Sequence, residues 1–277
     1  MQLLILGIVL TVVCWYFAWS HIGLVSEYSF FPLWVGYILL VNGLSEVMAG
    51  TSLLRRMRWS FLWLFIISIP MWWFFEYMNS IVQNWHYLFA HPISILHYEI
   101  QASIDFSTVV PAVLSTSILV FQLLRKRSLN TRVAIPGTTL LIAFGSAFIL
   151  FWLLNLFPSE TFPLVWIGPI LFLEPLAYAL GVRASLVHQI EQGNLTLPLS
   201  LGIGTLITGF WWECWNFYSL PKWIYTIPYV GFLKIFEMPI LGYLGYPFFG
   251  LIVFSYAALI LNFIAKQDLA KLFSSQS

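Results

Sequence analysis

The chain has 277 residues, of which 60% are hydrophobic and 8% charged, with a mean hydropathy of +0.88. A soluble domain carries roughly 25% charged residues, so most of this surface must face lipid. The net charge of +1 gives no field to attract nucleic acid, and two cysteines inside apolar runs, Cys14 and Cys214, make neither a disulfide framework nor a metal site.

Spanning a bilayer takes about 20 mostly apolar residues. Segments of that kind cover 3–20, 31–50, 59–79, 105–124, 137–157, 163–181, 199–218 and 239–264. The predicted fold class is therefore all-α, a polytopic membrane protein of about eight transmembrane helices. The first is read as a retained helix, because Met1-Gln2-Leu3-Leu4 has no basic region and no small-residue cleavage site follows.

Basic residues then set the orientation. With the N-terminus inside, the cytoplasmic loops and tail hold Arg55, Arg56, Arg58, Arg125, Lys126, Arg127, Arg132, Arg183, Lys266 and Lys271, against Lys222 and Lys234 outside. That bias requires an even helix count with both termini cytoplasmic; the membrane expected is the cell inner membrane. Two outer loops, 80–104 and 219–238, are long and aromatic. They are expected to lie along the membrane surface or to re-enter it under protein cover.

The halves echo one another. Phe31-Pro32-Leu33 answers Phe162-Pro163-Leu164, and Asn42 answers Glu174. Trp72-Trp73-Phe74-Phe75-Glu76-Tyr77-Met78-Asn79 answers Gly209-Phe210-Trp211-Trp212-Glu213-Cys214-Trp215-Asn216. Trp85-His86-Tyr87 answers Trp223-Ile224-Tyr225, and Pro111 answers Pro247. The expectation is two parallel four-helix repeats, residues 1–128 and 129–277, within one membrane domain, with a site between them.

Chemistry is sought at carboxylates inside the membrane, which persist when they face protein and have a partner. Glu76 and Glu213 each precede an Asn by three residues, which puts acid and amide on one helical face. A buried neutral carboxyl is a proton source for acid-initiated cyclisation, and aromatic faces stabilise the resulting cation by about 2 kcal/mol when desolvated. Trp72 lies one turn before Glu76, whereas Gly209 leaves a gap before Glu213. The competing structural interpretation has each Glu–Asn pair hydrogen-bonding neighbouring helices together. Glu237, beside Met238-Pro239 at an expected helix start, would be favoured by the helix dipole. His86, His91 and His97 sit in a loop at spacings of five and six, which do not share a helical face, so neither metal nor other cofactor is expected.

The run Trp212-Glu213, Asn216, Trp223-Ile224-Tyr225, Gly231, Glu237-Met238-Pro239 resembles the membrane lycopene cyclase domain. The Trp-Glu core is also similar to the integral-membrane terpene cyclases of fungal meroterpenoid pathways. The resemblance implies a duplicated helical bundle that protonates an isoprenoid without metal. It departs from the family in having Glu-Met-Pro where Pro precedes paired acids, and Asn216 where an Asp precedes Trp-x-Tyr. It implies an acid-base cyclase or isomerase of a carotenoid-like lipid, with Glu76, Glu213 and Glu237 as the acids. Asn79 and Asn216 would orient Glu76 and Glu213, and Trp72, Trp211, Trp212, Trp223, Tyr225 and Glu174 would contact substrate. The partners expected are the bilayer and a membrane lipid. Two alternatives are a transporter or channel using the same acids and a non-catalytic scaffold that binds a partner through its outer aromatic loops.

Overall fold

The computed structural model describes residues 1–124 and 131–273. Arg125, Lys126, Arg127 and the boundary expected at residue 128 lie outside the described residues. Among these residues seven helical stretches are long and apolar enough to cross a membrane: Gln2–Ser20, Phe30–Ala49, Leu53–Val82, Ile95–Leu124, Gly137–Leu156, Pro158–Ala179 and Ile240–Ile264. The chain is thus a mainly helical membrane protein.

In chain order the helices are α1 (Gln2–Ser20), α2 (Gly23–Glu27), α3 (Phe30–Ala49), α4 (Leu53–Met57) and α5 (Leu62–Val82). After a strand come α6 (Ile95–Phe106), α7 (Val109–Leu124), α8 (Gly137–Leu156), α9 (Pro158–Thr161) and α10 (Gly168–Ala179). Then follow α11 (Leu186–Glu191), α12 (Thr196–Tyr218) and α13 (Gly245–Ile264). The strands are β1 (Trp85–Leu88), β2 (Lys222–Tyr225), β3 (Lys234–Ile235) and β4 (Met238–Pro239).

Three stretches differ from expectation. Residues 80–104 are not a plain loop, since they hold β1 and most of α6. The segment expected at 163–181 opens with a 3-10 turn, Phe162–Trp166, and the one expected at 239–264 with another, Ile240–Leu244. Met238-Pro239 is a short strand paired with Lys234–Ile235, and Pro239 leads directly into the 3-10 turn.

α12 has 23 residues but is more polar than the seven. Its position explains this, because it packs against α7 and α13, and Ser200, Thr205, Thr208, Glu213 and Asn216 are all buried on it. A helix enclosed by protein need not match lipid. Its hydroxyls are satisfied within the helix: Ser200 donates to the Thr196 carbonyl, Thr205 to Leu201 and Thr208 to Gly204. At the rim, α1 packs along α3 at close range. A Cβ on Gly7 would lie 2.2 Å from the Leu40 nitrogen, the small-residue approach that lets membrane helices gain dispersion energy.

The two Trp-x-Tyr stretches meet across the bundle as one antiparallel sheet, with Trp85 opposite Tyr225 and Tyr87 opposite Trp223. Aromatic residues suit extended backbone, and Thr226 extends the pairing by donating its N–H to the Asn84 carbonyl. This sheet joins the ends of α5 and α12 and covers the site.

Candidate functional site

Each Asn fixes its strand rather than its Glu. α5 ends where Gln83 turns left-handed at φ 51°. There Asn79 Oδ1 accepts the N–H of Asn84 and of Trp85, and its Nδ2 donates to the Trp85 carbonyl. Asn216 Oδ1 accepts the Trp223 N–H at 2.8 Å and its Nδ2 donates to the Trp223 carbonyl at 2.7 Å. The orienting role expected of these amides is therefore indirect. They place the Trp and Tyr rings, and those rings reach the carboxylates.

Glu76 Oε1 accepts three such donors: Trp72 Nε1 at 3.0 Å, Trp85 Nε1 at 3.1 Å and the Tyr87 hydroxyl at 2.6 Å. Glu213 Oε1 accepts the hydroxyls of Tyr225 at 2.7 Å and Tyr246 at 2.6 Å. Trp223 Nε1 stops one step short and donates to the Tyr225 oxygen. The gap expected before Glu213 is filled, because the Tyr246 ring from α13 lies where a Cβ on Gly209 would come within 2.6 Å. Glu213 is fully buried, and its Oε2 has no hydrogen-bond partner among the described residues. In the strands, burial first and the adjacent carboxylate second push the Tyr87 and Tyr225 phenols well above their ordinary range, so both remain O–H donors.

Beneath the sheet lies a cavity of about 130 Å³. Trp72, Trp85, Trp212, Trp223, Tyr87 and Tyr225 line it, with Phe106, Trp166 and Phe249 deeper among the helices. The Trp72 and Trp212 rings, one from each half of the chain, lie 5.0 Å apart at 31°. The polar lining includes Glu213, Asp105, Glu27 and Lys222.

Of the residues expected at the site, Glu213, Trp72, Trp212, Trp223 and Tyr225 line this cavity. Glu76 does not, although Trp72, Trp85 and Tyr87, which donate to its Oε1, do. Glu237 is held in an ion pair, 2.5 Å from Lys222 Nζ, three residues before the 3-10 turn Ile240–Leu244. Trp211 faces the other way, ring to ring with Trp15 and Trp215. Glu174 lies elsewhere in the bundle, accepting from the Val187 N–H and the Ser255 hydroxyl. The three histidines each meet a different group: His86 with Thr226, His91 with Glu27, His97 with Tyr28. Asp105, Tyr246, Tyr87 and Trp85 were not selected from the sequence as site residues. Asp105 had only its place near a helix end as a signal, and Tyr246 had none.

No protein-family model, curated protein or solved structure matches the chain.

Proposed function

We propose that the protein is an eight-helix membrane enzyme, built from two parallel four-helix repeats. It carries out acid-base cyclisation or isomerisation of an unsaturated, isoprenoid-like lipid in this cavity. The observation that carries the proposal is that Glu213, fully buried and with its Oε2 unpartnered among the described residues, lines a cavity rich in aromatic rings. Glu213 transfers its proton to an alkene or epoxide of the substrate and becomes a carboxylate. The carbocation formed rests against the indole and phenol faces, and loss of a proton back to the carboxylate ends the reaction. Atoms and electrons balance, with no redox partner required. Tyr225 and Tyr246 hold Oε1 and leave Oε2 to carry the proton. The lycopene-cyclase-like resemblance points the same way, with Glu76 and Glu237 moved from acids to supporting roles.

Matched bonds support the duplication. Asn79 and Asn216 make the same contacts to their strands. Asn42 accepts the Leu54 N–H and donates to Ser115, as Glu174 accepts the Val187 N–H and binds Ser255. Helix neighbours repeat too, with α1 on α3 and α8 on α10, then α5 on α7 and α12 on α13. The Ser115–Ser255 correspondence aligns Pro111 with Leu251 and leaves Pro247 one turn earlier. In this arrangement α12 is the eighth crossing, both termini are cytoplasmic, and the protein sits in the cell inner membrane. Reporter tags after Glu160 and after Arg183 should then report opposite faces.

The activity is tested by extracting lipids from cells making wild type or Glu213→Gln and comparing them by mass spectrometry. The expected outcome is a product present with wild type and absent with the variant. Identical profiles would overturn the reaction.

A further inference from the structure

The cavity lining holds more acidic than basic side chains. Three carboxyl groups line it: Glu27, Asp105 and Glu213. Glu27 has His91 Nδ1 at 3.4 Å. Glu213 holds two phenols on one oxygen and nothing on the other. No hydrogen-bond donor or ion-pair partner among the described residues reaches the Asp105 carboxylate. The one lysine in the lining, Lys222, is already committed, its Nζ 2.5 Å from Glu237 Oε1 and 3.1 Å from the Phe217 carbonyl. The rest of the wall is dominated by indole, phenol and phenyl rings, whose faces attract positive charge, most strongly when water is excluded.

We infer that this cavity is a binding site for a lipophilic organic cation, with Asp105 as counter-charge and the Trp72, Trp85, Trp212 and Trp223 rings as its cage. The ligand class is an alkyl chain ending in a quaternary ammonium or comparable diffuse cation. An inorganic ion would gain little here, because so few oxygens converge. A neutral lipid would fill the apolar volume and leave Asp105 unpaired. A diffuse cation meets both requirements. The inference deepens the proposed function and rests on the same cavity being the working site, but it concerns binding and requires no turnover.

The test uses the full-length protein in phosphatidylcholine nanodiscs and radiolabelled dodecyltrimethylammonium as the probe. Empty nanodiscs are subtracted, and the neutral carbon isostere 2,2-dimethyltetradecane is the competitor. Saturable binding is expected, with the isostere competing about tenfold or more weakly than unlabelled cation. Asp105→Asn should weaken binding about tenfold, and Asp105→Glu should restore it. Equal competition by the isostere would overturn the inference, as would wild-type affinity in Asp105→Asn. If Asp105→Asn does not fold, the wild-type competition decides alone. The two claims fail separately: unchanged lipids with Glu213→Gln remove the reaction, while loss of cation preference removes this site.

Discussion

Glu76 and Glu213 occupy matching places on α5 and α12, yet their surroundings differ in kind. Around Glu76, one oxygen gathers two indole N–H groups and a phenol, and the carboxyl is set apart from the cavity. Around Glu213, the helix's own Trp is replaced by Gly209, a neighbouring helix supplies Tyr246, and Trp223 donates to Tyr225 instead. Glu213 has one donor fewer, and its second oxygen is fully buried without a partner among the described residues, whereas Glu76 is only part-buried. Leaving a buried polar atom unpaired costs about 1–3 kcal/mol.

The largest effect is expected where the two surroundings diverge most. Gly209→Ala drives a methyl into the Tyr246 ring, costing about 1–3 kcal/mol from overpacking. Loss of the phenol from Glu213 adds about 0.5–1.5 kcal/mol, the range for a bond between neutral groups. Thermal unfolding in detergent reads this. Adding Tyr246→Phe to Gly209→Ala should then cost little more, because the donor is already displaced. Full additivity would show that the ring keeps its bond.

Next come the two amides, where the sites should behave alike. Asn79→Ala and Asn216→Ala each strip bonds from a strand and should each destabilise by about 1–3 kcal/mol. Hydrogen exchange at residues 85–88 and 222–226 should rise in both, because each strand holds the other. Loss of protection on one side only would break the equivalence.

A smaller difference separates the indoles. Trp85→Phe removes a direct donor to Glu76 and should cost about 1.5–3 kcal/mol for that bond, whereas Trp223→Phe removes one to a neutral phenol, about 0.5–1.5 kcal/mol. Both also lose ring area, so the contrast between them is the readout. The phenols add a pH signature. Their raised values in the folded chain mean that Tyr87 and Tyr225 contribute stability present below about pH 10 and lost above it. Stability that falls more steeply in wild type than in Tyr87→Phe at high pH would confirm the direction.

The contrast between these regions also marks what the sequence could carry. Helices facing lipid were legible, as with 3–20 against Gln2–Ser20 and 137–157 against Gly137–Leu156, because lipid imposes length and apolarity over a whole segment. α6 was hidden because it packs at the end of the bundle and needs no such run. The pairing of Trp85 with Tyr225 spans 140 residues in four-residue strands, and no local period of two is long enough to announce it. The Glu–Asn repeats were visible as a pattern, but the work of the amides was not, since their partners are backbone groups beyond the helix end. Tyr246 reaches Glu213 only because Gly209 makes room on another helix, a fact of packing that neither segment states alone.

The smallest effect concerns Glu237. Its side chain and that of Lys222 are 17% and 20% exposed, and pairs with access to water contribute about 0.2–1 kcal/mol. In Glu237→Gln the amide oxygen still accepts from Lys222, which also keeps its bond to the Phe217 carbonyl. Stability should fall by less than about 1 kcal/mol, and the lipid profile should match wild type while Glu213→Gln loses the product. A Glu237→Gln profile that matched Glu213→Gln instead would make the acid beside Met238-Pro239 a participant in the chemistry. The reactive group would then be the Glu237–Lys222 pair, with Glu213 one more carboxyl held in place by phenols.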